Sequence, residues 1–164
     1  HTHLTMILNV AELWRRIDTF TATAQSFPST PIVAAAPCVL IVDDSEVIRD
    51  TLHGALSSRG FVVVEAADGA AGLARWRERH PDLVITDLQM PLMDGVELIR
   101  QLRADPAGRD LPVLVLSSLG SAEDRPRAGA AGASAYLIKS EFSEADLLAM
   151  VERYLHGGWG HDSE

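Results

Sequence analysis

Five side chains that are suited to phosphate chemistry each follow a short apolar run in this sequence of 164 residues. They are Asp43 and Asp44 after the first run, Asp87 just beyond the third, Ser117 after the fourth and Lys139 after the fifth. Two carboxylates about 4 Å apart repel by roughly 4 kcal/mol at an effective dielectric of 20, so three of them together need a cation or a proton. Oxygen ligands suit Mg²⁺, which shares its coordination shell with phosphate oxygens. With an ammonium and a hydroxyl beside them, the carboxylates predict phosphoryl transfer in which a carboxylate is the covalent acceptor.

Lys139 is the only lysine among 14 basic residues, and the others are all arginines. Lysine is a compact point charge on a thin stem, whereas arginine is a broad planar fork. A tight anionic pocket would explain why this position departs from the arginine used elsewhere, and chance is the alternative explanation.

Each carboxylate taken alone has an ordinary structural interpretation. Asp43 and Asp44 could cap the helix that follows them, and Asp87 could be a turn residue before Pro91. The occurrence of these groups at four separate strand ends, together with the single lysine, favours a functional site.

These side chains need a scaffold that brings the ends of the apolar runs together. From residue 38 to residue 155 the chain alternates apolar runs with segments of helical periodicity. This alternation predicts a parallel sheet with helices on both faces, in which ligands bind beyond the carboxyl ends of the strands. The predicted strands are 39–42, 61–64, 83–85, 113–116 and 135–138, and the later helices are 68–79, 94–104, a weak helix from 121, and 143–155.

The segments outside this region differ in composition. Residues 1–20 have the pattern of a short strand followed by a helix, and this segment is too short to hold its own core. Residues 21–37 are rich in Thr, Ala, Ser and Pro, which predicts a linker. Residues 156–164 are predicted to be a flexible tail.

Composition excludes several classes of protein. The net charge of −9 argues against nucleic-acid binding, and no apolar run approaches the roughly 20 residues of a membrane span. Cys38 is the only cysteine, so a disulfide framework is excluded. Because no signal peptide is evident, we expect a cytoplasmic protein.

The region from Val39 to Leu155 resembles the receiver domain of bacterial response regulators, similar to the chemotaxis regulator CheY. The motifs that carry the resemblance are VLIVDDS at 39–45, TDLQMPLMDG at 86–95, LSS at 116–118 and YLIK at 136–139. The resemblance implies an α/β fold of the flavodoxin-like type, a doubly wound five-stranded parallel sheet in the order 2-1-3-4-5.

The resemblance also implies a metal site and a phosphoacceptor. Asp87 would accept the phosphoryl group from a phosphohistidine of a histidine kinase or phosphotransfer domain, or from a small acyl phosphate. Mg²⁺, for which Mn²⁺ could substitute, would be bound by Asp44, Asp87 and the backbone carbonyl of Gln89, and by Asp43 through a water.

Three further residues take roles by the same resemblance. Lys139 would pair with Asp87 and then with a phosphoryl oxygen, and Ser117 would hydrogen-bond the phosphoryl group. Tyr136 would change rotamer in response, and a downstream signalling protein would read the change.

Residues after the lysine depart from the usual family pattern. Ser140 stands where receivers usually have a proline in a cis peptide, and a non-proline cis bond costs about 2.5–4 kcal/mol, so a trans bond is predicted. Lys139, Ser140 and Phe142 form a pattern that resembles receivers at the C-terminus of chemotaxis kinases of the CheA type. Residues 4–13 resemble the end of a CheW-like domain, which precedes such receivers. The alternative is a stand-alone single-domain regulator that binds a downstream protein.

The fourth helix is predicted to be short or mobile. Pro126 falls about five residues into a helix that starts at Ser121, where it removes a hydrogen bond, and Gly129 and Gly132 weaken the helix further. This puts in doubt the dimer that the family often forms through this region.

Two other functions are less well supported. A phosphatase similar to haloacid dehalogenases needs a second acid two residues after its nucleophile, and Gln89 stands there. A docking domain without chemistry would not need the complete set of acids, hydroxyl and lysine.

Overall fold

The computed structural model describes residues 35–118, 121–141 and 143–157. The strand and helix predicted within residues 1–20, most of the predicted linker and most of the predicted tail lie outside these ranges.

Strands and helices alternate through the described part of the chain. The strands are β1 (Cys38–Val42), β2 (Val62–Ala66), β3 (Leu83–Thr86), β4 (Val113–Ser117) and β5 (Ala135–Ile138). The helices are α1 (Glu46–Ser58), α2 (Gly69–Arg79), α3 (Gly95–Ala104), α4 (Asp124–Ala131) and α5 (Glu144–His156), with a 3₁₀ turn at Pro106–Gly108 after α3.

Within the described residues, five strands form one parallel sheet in the order β2-β1-β3-β4-β5. This order confirms the predicted flavodoxin-like fold. The chain reverses its direction of winding between β1 and β3, so the carboxyl ends of these two strands border a crevice, which is where open α/β sheets bind ligands.

Two apolar layers cover the two faces of the sheet. On one face, Val39 and Ile41 of β1 pack with residues of α1 and α5, such as Leu56 and Leu147. On the other face, alternate strand residues such as Leu40 pack with α2, α3 and α4. The central strands are therefore buried on both sides, as their continuous apolar sequences predict.

Helix starts follow the capping chemistry of the sequence. Asp68 and Asp94 were predicted as the first residues of their helices, but both are N-caps whose side chains accept from the backbone N–H groups of Ala71 and Glu97. Ser143 is also an N-cap, and it forms a full capping box with Asp146. The starts predicted at Asp68 and Asp94 were therefore one residue too early, because a capping residue lies outside the helix that it caps, whereas the sequence spacing of Ser143 and Asp146 predicts the cap that is observed.

The fourth helix corrects a prediction. Helix α4 begins at Asp124 rather than near Ser121, so Pro126 lies in its first turn. Backbone N–H groups in a first turn have no partner within the helix, and the proline therefore removes no hydrogen bond. The helix is short, with 8 residues, as predicted, and it ends at Gly132 in the left-handed region.

Two other expectations can be compared with the described residues. All of their peptide bonds are trans, including the bond between Lys139 and Ser140, as predicted. None of the helices in these ranges is long and apolar enough to cross a lipid bilayer.

Candidate functional site

Backbone hydrogen bonds to neighbouring strands fix the two buried aspartates. The N–H of Asp43 donates to the carbonyl of Ala66 on β2 at 3.1 Å, and the N–H of Asp87 donates to the carbonyl of Val42 on β1 at 2.9 Å. Asp43 is 2% exposed and Asp87 is 7% exposed, so their carboxylates have lost most of their contact with water. The sheet thus continues its pairing to the point where the two acids meet.

Lys139 connects these two acids. Its Nζ lies 2.6 Å from Oδ2 of Asp43 and 3.2 Å from Oδ2 of Asp87. The backbone N–H of Lys139 donates to the carbonyl of Ser117 at 2.8 Å, which ties the end of β5 to the end of β4. The single ammonium is held between two carboxylates, as the compact shape of lysine allows.

Burial and charge set the protonation of this group. Burial raises the pKa of Asp87, and the charge of Asp43 adds to the rise, although Lys139 opposes it. The pKa of Lys139 is also raised, because the two carboxylates outweigh the opposing effect of its burial. Ionised Asp87 is therefore costly in the absence of a further positive charge.

A third carboxylate completes the cluster. Asp44 is exposed at the end of β1, and within the described residues Asp43, Asp44 and Asp87 offer carboxylate oxygens that all lie within 4.8 Å of one another. Three carboxylates and one ammonium leave an excess of negative charge, and a donor set of oxygens alone suits Mg²⁺. The residues present therefore fit a magnesium ion.

A cleft of about 330 Å³ opens beside this cluster. Asp44, Gln89 and Met90 line one part of it, and Asp124 and Arg127 from the first turns of α4 line another. Gln89, predicted to offer its carbonyl to the metal, thus shares a cleft with Asp44. The sequence patterns did not predict that α4 reaches this cleft, because they placed the start of the helix near Ser121 rather than at Asp124.

The loop after Asp87 approaches its backbone closely. Oδ1 of Asp87 accepts from the N–H of Leu88 at 2.7 Å, and the N–H of Gly95 donates to the carbonyl of Leu88 at 2.9 Å. A Cβ atom at Gly95 would lie 2.0 Å from the carbonyl oxygen of Asp87, so only glycine fits there. Leu92 in this loop has a left-handed backbone and is 89% exposed.

The two remaining predicted residues occupy different places. Ser117 is buried at the carboxyl end of β4, next to the strand that carries Asp87. Tyr136 lies within β5, half-buried, with the guanidinium of Arg125 from α4 at 5.3 Å from its ring centre. The structure thus gathers the acids, the lysine and the serine at one edge and places the tyrosine beside α4.

The predicted residues do not include Arg49 on α1. Its Nη1 donates to the backbone carbonyl of Asp43 at 2.7 Å, and its Nε lies 3.7 Å from Oε2 of Glu65 on β2. These contacts join residues that are far apart in sequence, and no periodicity reveals them.

Comparison with known proteins agrees with this geometry. The sequence profile of the response regulator receiver domain matches residues 39–152. The chain belongs to the response regulator receiver domain family. This receiver is 42% identical over 115 residues to the gliding motility regulatory protein of Myxococcus xanthus, an alignment that covers 70% of this chain and 15% of that protein. It is 41% identical over 120 residues to the transcriptional regulatory protein PrrA of Mycobacterium tuberculosis, and that alignment covers 73% of this chain and 50% of PrrA. The chain thus spans half or less of the length of these relatives.

Solved structures of receivers share the fold. The chemotaxis protein CheY4 of Vibrio cholerae is 35% identical with a TM-score of 0.69, and the match covers 74% of this chain and 100% of that one. Another similar structure is the receiver domain of the sensor histidine kinase PA1611 of Pseudomonas aeruginosa, which has a magnesium ion coordinated in its active-site cleft. It is 29% identical with a TM-score of 0.68, and the match covers 74% of this chain and 98% of that one.

Proposed function

We propose that this receiver domain accepts a phosphoryl group on Asp87 in a reaction that depends on Mg²⁺. The observation that carries the proposal is the convergence of three carboxylates with Lys139 at the carboxyl edge of the sheet. Asp43 and Asp87 are both buried and both contact Lys139, but Asp87 is the more accessible of the two, at 7% exposed against 2%, and its contact with Lys139 is the longer, at 3.2 Å against 2.6 Å. The magnesium ion in the related PA1611 receiver supports the assignment of the metal.

Each side chain has a distinct task in the transfer. A carboxylate oxygen of Asp87 forms a bond to phosphorus while the bond from phosphorus to the donor nitrogen or acyl oxygen breaks, and the leaving group departs with that electron pair. Lys139 and the hydroxyl of Ser117 would stabilise charge on the transferred group. Asp44, Asp87 and the carbonyl of Gln89 would hold a Mg²⁺ ion, with Asp43 acting through a water, and the ion would neutralise phosphate charge.

Phosphorylation from a small donor tests this proposal. The protein is incubated with acetyl phosphate and Mg²⁺, and its intact mass is measured. One added phosphoryl group is expected, and it should be absent from Asp87→Asn and absent when a chelator is present. Labelling that persists in Asp87→Asn would contradict the assignment of the acceptor.

We further propose that the receiver serves a histidine kinase of the chemotaxis type as part of a longer protein. The gliding motility regulatory protein, of which the matched region is only 15%, supports a place in a longer protein, and the likeness to the receiver of a sensor histidine kinase supports a kinase as the partner. The alternative is a single-domain regulator that binds a downstream protein, and the match to the whole CheY4 chain favours it. The reading frame around the region that encodes these 164 residues decides between them: a kinase domain in the same frame supports the first proposal, and flanking stop codons support the second.

A further inference from the structure

Arg49 makes an unusual pair of contacts at the start of α1. Its guanidinium donates to the main-chain carbonyl of Asp43 at 2.7 Å and faces the carboxylate of Glu65 at 3.7 Å. The side chain is only 16% exposed, so the two contacts are largely sheltered from water. A guanidinium presents several donors in a rigid fork, which allows one residue to hold both partners.

The carbonyl that Arg49 holds belongs to the peptide between Asp43 and Asp44. A peptide unit is planar, so fixing its carbonyl also fixes the direction of the N–H of Asp44 and the path of the chain into Asp44. The side chain of Asp43 is held separately, by the N–H of Ser45 at 2.9 Å and by Lys139. Asp44 is exposed, and the orientation of its backbone determines where its carboxylate meets a cation.

Glu65, the carboxylate that faces Arg49, is itself held by a second residue of α1. Oε1 of Glu65 lies 2.5 Å from Nδ1 of His53, one turn further along α1, while its other oxygen faces Arg49. Glu65 is part of β2 and opposes Ile41 of β1 in the sheet. The guanidinium is thus anchored to the sheet rather than to its own helix alone.

We infer that Arg49 is a positioning residue for the metal site, which fixes the peptide between Asp43 and Asp44 and is oriented in turn by Glu65. This inference rests on the proposed function, because it assigns a task in the binding of the same cation. Removal of outer-shell partners of metal ligands typically weakens metal binding by about 10–100-fold, and we expect a loss of about tenfold here.

The sign of the effect separates positioning from simple charge. A guanidinium near a cation site repels the cation, so its removal would strengthen Mg²⁺ binding if charge alone mattered. Positioning predicts the opposite, namely weaker binding in Arg49→Gln. Arg49→Lys keeps the charge but lacks the fork, so positioning predicts an intermediate affinity.

The experiment measures Mg²⁺ dissociation constants of the full 164-residue protein by titration calorimetry. Arg59→Gln is the matched control, because Arg59 is the C-cap of the same helix, is 51% exposed and pairs with Glu152. Mg²⁺ binding is expected to be about tenfold weaker in Arg49→Gln, weakened by a smaller factor in Glu65→Gln, and unchanged in Arg59→Gln. The double variant Arg49→Gln/Glu65→Gln should bind Mg²⁺ as weakly as Arg49→Gln alone, because Glu65 acts through Arg49. Amide NMR shifts of residues 43–45 in the absence of metal should change in Arg49→Gln while thermal unfolding shows a folded protein.

The outcomes distinguish the two proposals. Unchanged or tighter Mg²⁺ binding in a folded Arg49→Gln, when the wild type binds Mg²⁺ and is phosphorylated, overturns the role of Arg49 alone. Additive losses in the double variant overturn the proposed orientation by Glu65. A wild-type protein that binds no Mg²⁺ overturns the proposed metal function and this inference with it.

Discussion

Lys139 lies between two buried carboxylates, and its replacement by methionine is expected to destabilise the metal-free protein by about 3 kcal/mol at pH 8. Methionine keeps an unbranched stem of similar reach and removes the charge. The side chains of Asp43 and Asp87 are only 3% and 9% exposed, so neither carboxylate recovers its hydration when the ammonium is lost.

Two physical effects bound the size of this loss. Each ion pair at roughly 3 Å is worth about 5 kcal/mol at an effective dielectric of 20, and breaking a buried pair by removing one partner typically costs about 3–5 kcal/mol. Proton uptake limits the cost, because the pKa of Asp87 is already raised by burial and Lys139 is the group that opposes the rise. Without Lys139 the pKa of Asp87 rises further, so the variant gains stability from protonation at low pH and loses it as the pH increases through the folded-state pKa.

Urea unfolding of wild type and Lys139→Met between pH 5 and pH 8 measures the loss. The deficit should grow with pH, and Mg²⁺ should reduce it because a bound cation replaces part of the missing positive charge. Arg75→Met is the control, since it removes an exposed ion pair with Glu78 and should cost at most about 1 kcal/mol. A deficit that is no larger than that of the control, or that shrinks as the pH rises, would refute the reasoning.

Three further predictions concern stability. Asp87→Asn should stabilise the metal-free protein, with a gain that grows from pH 4 to pH 8, because the raised pKa of Asp87 makes its ionised form unfavourable; urea unfolding that shows a falling gain would contradict this. Gly95→Ala should cost about 2 kcal/mol or more, since its Cβ meets the backbone of Asp87, whereas the control Gly54→Ala, with open space around its Cβ, should gain up to about 1 kcal/mol in the same assay. Ser143→Ala should cost about 1 kcal/mol through loss of its capping box, and an unchanged urea midpoint would show that the box adds nothing.

Much of the scaffold could be predicted because its signals are local. The central strands are buried on both faces, so their sequences are continuously apolar and stand out between amphipathic helices. Strand β5 was predicted with its observed bounds, Ala135–Ile138. Once the strand ends were known, the topology of a parallel sheet brought their polar residues to one edge.

Helix α4 shows where local signals are insufficient. Its sequence contains a proline and a glycine, with a second glycine as its C-cap, and propensity alone does not tell whether Pro126 interrupts a helix or lies in its first turn. Packing decides the matter, since Ala128 and Ala131 are buried against the sheet and fix the register of the short helix. The beginning of such a helix depends on tertiary contacts that a propensity scale does not contain.

Contacts across the fold were also beyond the reach of sequence patterns. Arg49 and Glu65 lie on different elements, and their spacing carries no helical or strand periodicity. The side chain of His53 is 48% exposed, yet its Nδ1 lies 2.5 Å from Oε1 of Glu65. Such pairs become visible only when the packing of α1 against β2 is known.

The position of the phosphoryl group is the measurement that bears most directly on the proposed function. Protein treated with acetyl phosphate and Mg²⁺ is reduced with borohydride, which converts an aspartyl phosphate into homoserine, and is then digested and sequenced by mass spectrometry. Homoserine at position 87 alone is the expected result. Homoserine at position 43 or 44, or at no position in protein that had gained a phosphoryl group, would contradict the assignment of Asp87 as the acceptor.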